Sequence, residues 1–482
     1  MNRRMVFHTV GLIILLETVL FLLPLAVSLI YNEASFGAFL MSAGFSLAVG
    51  GGLLLVSRPN SKVIYAKEGF AITALAWLSL SAIGALPFTL SGQIPHYIDA
   101  FFETVSGFTT TGASVITDVE ALDKGILFWR SFTHWVGGMG VLVFLMAFLP
   151  NISDRAIHII RAEIPGPTVG KLLPKIKDTA KILYVIYLAL TLVQTVILRI
   201  SGMNLFDSLV HSFGTAGTGG FGIYADSAGS FTPLQQWVIA IFMLIFGVNF
   251  NLYYMMLIRR FRTALRSTEL WVYFGIVTVA TALVFINIFP LFDSVFETLR
   301  HAAFQVSSII TTTGYATVDF NTWPTLSKTV LLILMFFGAC AGSTAGGIKL
   351  SRVIVLFKNC MMEFRHLLHP RSVNTLLFEG KKVVPETRKG VLVYLALYTI
   401  CFFGVFLLLG FDGFDLETNF SAAAACFNNI GPGLGLVGPA SSYADYSYFS
   451  KILLSLAMLL GRLEIWPILL TLFPATWKGR QH

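Results

Sequence analysis

The chain has 482 residues, of which 56% are hydrophobic and only 12% charged, with a mean hydropathy of +0.77. Soluble domains carry about 25% charged residues, so this chain would show water a large apolar surface, and lipid is its economical solvent. The net charge of +8 does not mark nucleic-acid binding, because the basic residues lie in alternate loops between apolar runs rather than in one patch.

Arg3 and Arg4 precede an apolar run from His8 to about Tyr31. The run is too long for the core of a signal peptide and has no small-residue cleavage site, so it reads as a retained first span. A span needs about 20 apolar residues. Ten are predicted, at 8–31, 36–57, 69–91, 126–150, 181–201, 234–258, 270–289, 327–356, 389–410 and 448–475. Four shorter apolar stretches, 98–108, 206–216, 298–310 and 416–428, each lie between two spans and run into a Gly/Thr- or Gly/Asn-rich segment.

Charge sets the orientation. With the N-terminus in the cytoplasm, most Lys and Arg residues fall inside: Arg3 and Arg4, then Arg58, Lys62 and Lys67, then Arg155 to Lys181, Arg259 to Arg266, Lys349 to Lys389, and Lys478 with Arg480. Both termini are then cytoplasmic. The expected fold is an all-α integral membrane protein with two leading helices (1–68) and four helix–short helix–loop–helix repeats. The repeats are bounded at 69–165, 166–266, 267–372 and 373–482, with pseudo-fourfold symmetry. Asp99, Asp207 and His301 each stand thirteen residues before a glycine, at Gly112, Gly220 and Gly314. Cys340, Cys360, Cys401 and Cys426 are scattered and suggest neither a disulfide framework nor a zinc site.

The chemistry resides in the segments after the short helices: Thr109-Thr110-Thr111-Gly112-Ala113, Gly217-Thr218-Gly219-Gly220-Phe221, Thr311-Thr312-Thr313-Gly314-Tyr315 and Asn428-Asn429-Ile430-Gly431-Pro432. Irregular backbone survives at membrane depth only when buried in protein or lining a water-filled cavity. Four such loops suggest a ring of carbonyl oxygens that replaces the hydration shell of a monovalent cation. Each short helix would aim its negative C-terminal end at that cation. The hydroxyls of Thr110, Thr111, Thr312 and Thr313 could add oxygens. The loops carry no carboxylate ring, which favours potassium-like ions over divalent cations. Ordinary small-residue helix packing is the alternative for any one loop taken alone.

Taken together, SGFTTTGASV at 106–115, GTGGFG at 217–222, TTTGYATVD at 311–319 and FNNIGPGLG at 427–435 resemble the Trk/Ktr/HKT potassium transporter superfamily. Within it, the bacterial TrkH/TrkG membrane subunits are closest. The resemblance covers essentially the whole chain, including the two leading helices. It implies filter residues Thr110, Thr111, Gly112, Thr218, Gly219, Gly220, Thr312, Thr313, Gly314, Asn429, Ile430 and Gly431, with potassium as the transported ion and no bound cofactor. A serine in place of Gly112 accompanies sodium transport in plant relatives, so glycine there favours potassium. The second and fourth loops depart from TTTG, which leaves their registers open by up to about three residues. The resemblance also implies a bacterial plasma-membrane location, a homodimer, and a cytosolic TrkA-type nucleotide-binding regulatory subunit.

Two further features belong to the ion path. The run from Gly338 through Gly342, Ser343, Thr344, Gly346, Gly347 and Lys349 is too rich in glycine for a continuous helix. It lacks the G-K-[ST] of a phosphate loop. It reads either as close helix packing or, as the resemblance implies, as an intramembrane gating loop beneath the filter. Arg462 lies deep in the last span, where an ionisable residue is a functional candidate; it would face the pore as a charge barrier or pair with a buried carbonyl or carboxylate. Arg130 and His134, one turn apart, read as braces of the pore region. Asn249 and Asn251 would satisfy backbone groups at a helix break. No catalytic constellation stands out. A secondary transporter of inverted repeats is disfavoured because the repeats here run in one direction, and channel-like and ion-coupled uptake both remain open.

Overall fold

The computed structural model describes residues 1–59, 65–140, 176–371 and 375–477. The chain begins with α1 (Arg3–Leu20) and α2 (Leu22–Tyr31), one span broken at Phe21, because Pro24 has no N–H to give the Leu20 carbonyl. α3 (Ser35–Val56) returns across the same layer. α4 (Ala66–Gly84) is continued by α5 (Leu86–Leu90), again at a proline, Pro87. The short α6 (Tyr97–Phe108) follows, then α7 (Lys124–Gly138). The predicted span 126–150 continues beyond the described residues at its C-terminal end, and Lys62 and most of the segment from Arg155 to Lys181 also lie outside them.

The next unit holds α8 (Ile176–Ile200), α9 (Leu205–Gly217), α10 (Pro233–Phe246) and α11 (Phe250–Leu257). α10 starts from a capping box in which Thr232 and Gln235 satisfy each other's orphan amides. α10 and α11 meet at 89°, so the predicted span 234–258 is bent at the break expected at Asn249 and Asn251. The Asn249 side chain accepts the Asn251 N–H at 2.9 Å and caps α11 at this corner. After α12 (Phe261–Leu265) come α13 (Thr268–Ile288), α14 (Val295–Ile310) and α15 (Thr325–Leu334). The predicted span 327–356 is interrupted: the backbone leaves the helix after Leu334 and resumes only at α16 (Leu350–Leu368). A two-stranded antiparallel hairpin, β1 (Leu377–Phe378) and β2 (Lys381–Lys382), precedes α17 (Pro385–Leu409) and α18 (Leu416–Phe427).

The last predicted span, 448–475, is α19 (Tyr448–Arg462), α20 (Trp466–Leu472) and α21 (Pro474–Trp477). Between α19 and α20, Glu464 and Ile465 both have positive φ, 56° and 69°. For a β-branched residue this is a strained conformation.

Among the described residues, six helical segments are long and apolar enough to cross a bilayer, and the bent α10–α11 pair makes a seventh. Their outer faces carry bare apolar side chains such as Ile30, Ile200, Ile286 and Leu407, each 70–80% exposed. An aqueous solvent would penalise that surface at about 25 cal/mol per Å², whereas lipid does not. The chain is a multi-pass membrane protein.

Candidate functional site

The short helices α6, α9, α14 and α18 end the same way. Thr110, Thr218, Thr312 and Asn429 adopt left-handed backbone with φ between 54° and 57°. The next residue's N–H reaches back five residues, Thr111 to Ser106, Gly219 to Gly214, Thr313 to Ser308 and Ile430 to Ala425, each at 2.8 Å. This is the Schellman geometry, which satisfies the orphan carbonyls at a helix C-terminus. A second positive φ follows two residues later, at Gly112, Gly220, Gly314 and Gly431. The matching geometry fixes the registers of the second and fourth loops at Thr218/Gly220 and Asn429/Gly431. Their departure from TTTG leaves these registers open in the sequence alone.

The four loops touch in cyclic order. A Cβ on Gly112 would overlap the carbonyl oxygen of Gly219, one on Gly220 that of Thr313, and one on Gly314 that of Ile430. One on Gly431 would stand 2.7 Å from the carbonyl oxygen of Thr111, which closes the circuit. Each glycine is therefore required twice, by its dihedral and by the neighbouring backbone.

Of the four hydroxyls expected to add oxygens, those of Thr111, Thr312 and Thr313 are hydrogen-bonded within the protein, whereas Thr110 Oγ1 is buried with no partner among the described residues. Those of Thr109 and Thr111 bond each other at 2.8 Å, as do those of Thr311 and Thr313. The Asn429 amide donates to Thr111 Oγ1 at 3.0 Å, and Thr312 Oγ1 accepts the Gly346 N–H at 2.7 Å. The Thr218 hydroxyl donates to its neighbour Gly217. Side chains thus stiffen the loops. At the fourth corner the Gly431 carbonyl accepts the Tyr443 hydroxyl at 2.7 Å.

Braces surround the ring. Arg130 Nε lies 2.5 Å from Glu103 Oε1, both side chains almost wholly buried. The same guanidinium donates to the Gly222 carbonyl at 2.9 Å and stacks on Phe221, 3.7 Å from the ring centre. Glu103 also accepts the Val115 N–H at 3.0 Å, so one ion pair holds both flanks of the first loop to the second. His134 takes the Phe221 N–H on Nε2, so Nδ1 carries the proton and donates to Gly107 O at 2.7 Å. The bracing role expected of Arg130 and His134 is what these bonds perform.

Beneath the third and fourth loops lies the non-helical segment from Met335 to Lys349. It folds on itself through Gly338 N–H to Ile348 O at 2.8 Å. Gly342 and Gly347 take positive φ. Cys340 N–H bonds Gly247 O, Phe250 N–H bonds Gly342 O, and the Thr344 hydroxyl bonds Phe246 O, so the segment fills the α10–α11 corner. Ser343 closes a turn onto Cys340, and the Lys349 ammonium turns back to the Ala345 carbonyl. Gly346 reaches the third loop through Thr312.

Arg462 lies at the end of α19 and donates to Thr344 O at 2.8 Å, Gly137 O at 2.6 Å and Gly138 O at 2.8 Å. It joins the segment to the end of α7. The guanidinium is thus paired with backbone carbonyls of other repeats, and its charge stays beside the segment. Glu464 turns elsewhere, to Arg352 at 2.6 Å.

Chain-wide comparison agrees with this geometry. The family profile described as cation transport protein, TrkH, matches residues 37–477. The chain belongs to the TrkH family of cation transport proteins. The family is one of transporters, not enzymes. The chain is 36% identical to the Trk system potassium uptake protein TrkH of Salmonella typhimurium, over 99% of this chain and 100% of that one. It is 35% identical to the TrkG protein of Escherichia coli, over 99% of both. The crystal structure of the potassium transporter TrkH from Vibrio parahaemolyticus superposes with a TM-score of 0.88 at 33% identity, covering 99% of this chain and 100% of that one.

Glu103 and Tyr443, which brace these loops, were not foreseen. Glu103 could have been found, because a carboxylate seven residues before the first threonine cap, in an apolar half-helix, must have a partner.

Proposed function

We propose that the protein takes up potassium ions through the ring formed by the loops at Gly112, Gly220, Gly314 and Gly431. The observation that carries this reading is the closed cycle of contacts, glycine to neighbouring carbonyl, through all four loops. An ion entering the ring exchanges its water for backbone oxygens. The C-terminal ends of α6, α9, α14 and α18 add a favourable potential for a cation. The Schellman bonds matter here as well, because they turn the amide protons of Thr111, Gly219, Thr313 and Ile430 back into their helices.

The segment from Gly338 to Lys349, with Gly342, Ser343, Thr344, Gly346 and Gly347, acts as the gate. It lies against the base of the ring at Thr312, and Arg462 holds it to α7. Arg462 also places a positive charge beneath the ring, where it opposes the passage of a cation. The repeats run from 69–165, 166–266, 267–372 and 373–482, after leading helices in 1–68. The end that carries the basic loops is cytoplasmic in a bacterial plasma membrane, both termini included. The relatives are named as parts of Trk systems, which supports association with further components; we read these as a second copy of this chain and a cytosolic TrkA-type nucleotide-binding regulatory subunit.

The test is uptake of radioactive rubidium by the purified protein in liposomes. Unlabelled potassium should compete with it and sodium should not. Equal competition by sodium would overturn the reading.

A further inference from the structure

Glu269 is the second residue of α13 and is buried, 5% exposed. One of its oxygens, Oε1, accepts the N–H of Ala341 at 2.8 Å and of Ser351 at 2.9 Å. Ala341 lies within the intramembrane segment and Ser351 in the first turn of α16, just after it. A single carboxylate oxygen therefore fastens both limbs of the segment. The Ser351 N–H is one of the orphan donors at a helix N-terminus, a position where a negative charge is favoured. The Ala341 N–H is a loop donor, and Glu269 is the partner that satisfies it.

Glu269 is itself held from outside the segment. Glu379, at the tip of the β1–β2 hairpin with φ 48°, accepts the Glu269 N–H at 3.0 Å and the Ser267 hydroxyl at 3.1 Å. The hairpin thus caps the start of α13. It also touches α16, because Lys358 donates to Leu377 O at 2.9 Å. The hairpin is otherwise solvent-facing: Leu377, Glu379, Lys381 and Lys382 are all exposed. Hydrogen bonds of an exposed carboxylate exchange readily for water, so this attachment is reversible in a way the buried Glu269 bonds are not. One exposed element is bonded both to the start of α13 and to α16, the helix that follows the segment, and a bonded chain of two carboxylates runs from it to Ala341.

We propose that Glu269 is the positioning residue of the intramembrane segment and that the β1–β2 hairpin acts on the segment through Glu379 and Glu269. The hairpin is the lever by which an event at the basic end of the bundle reaches the base of the ring. The inference rests on the reading of the segment as a gate.

The experiment uses full-length protein in liposomes, with Glu269→Ala, Glu269→Gln and Glu379→Ala made both in the parent and in a chain lacking Ala341 to Ala345. Glu269→Ala removes the acceptor and should raise rubidium flux by about tenfold, the equivalent of about 1.4 kcal/mol. Glu269→Gln retains an acceptor oxygen and should stay near the parent, and Glu379→Ala should raise flux by a smaller factor. None should alter the preference for potassium over sodium. In the shortened chain all three should be without effect.

A folded Glu269→Ala protein with unaltered or reduced flux overturns the proposal, and so does an increase that persists in the shortened chain. If Glu269→Ala yields no folded protein, Glu379→Ala decides by the same two criteria. Failure of the gate reading shows separately, as a shortened chain that conducts no faster than the parent.

Discussion

Gly112→Ser is the most informative single perturbation of the ring. Gly112 has φ 82°, and a Cβ there would overlap the carbonyl oxygen of Gly219 in the next loop. The left-handed backbone alone costs an L-residue roughly 1–2 kcal/mol. The overlap cannot be relieved by rotating a side chain, because the obstacle is backbone. Either Gly112 leaves its dihedral or the Gly219 carbonyl moves, and both displace an oxygen available to the ion. If about 1.4 kcal/mol of the discrimination between potassium and sodium is lost, the selectivity ratio falls tenfold. The assay is paired uptake of labelled rubidium and sodium into liposomes at matched protein, with Gly404→Ser as control, a glycine on α17 with open space around it. A ratio about tenfold below the parent for Gly112→Ser, and unchanged for Gly404→Ser, is the expected outcome. A folded Gly112→Ser protein with the parent ratio would refute the reasoning.

Arg462→Ala should raise rubidium flux, since it removes both the charge and the bonds to Thr344, Gly137 and Gly138. Arg462→Lys keeps the charge but cannot span the carbonyls, and should fall between; an alanine variant no faster than the parent, with its fold intact, counts against the barrier. Deleting Ala341 to Ala345 should raise flux and leave the rubidium-to-sodium ratio alone; flux and folded yield falling together would make the segment packing only. Arg130→Ala leaves the Glu103 carboxylate buried without its cation, a loss of about 3–5 kcal/mol. Its folded yield, read by size-exclusion chromatography, should drop well below that of Lys328→Ala, whose ion pair with Glu417 is more exposed.

Much of the architecture was legible because membrane constraints are severe. The short stretch 98–108 is the helix Tyr97–Phe108, and 416–428 is Leu416–Phe427, since each must end where glycine and its neighbours depart from helix. The interruption at Gly338 to Lys349 was legible from its glycines. The break at Asn249 was legible but not its 89° angle, which makes a corner whose backbone bonds the segment at Cys340 and Gly342. The partners of the threonine hydroxyls were not legible, because any hydroxyl near a pore can equally face the ion or a neighbour. Glu269 and Glu379 escaped notice for another reason. They lie at a helix start and a hairpin tip, where acidic residues are ordinary, and only their four bonds across the chain distinguish them. Arg462 was found by its depth, yet depth alone could not say whether it pointed at the ion or at a carbonyl.

The central claim is that a ring of backbone oxygens sets the preference for potassium. The most direct measurement is the reversal potential of the purified protein in a planar bilayer, with potassium on one side and sodium on the other. A reversal potential displaced strongly toward the potassium equilibrium, and brought toward zero by Gly112→Ser, is what the ring requires. A potential near zero in the parent, or one displaced toward sodium, would contradict it.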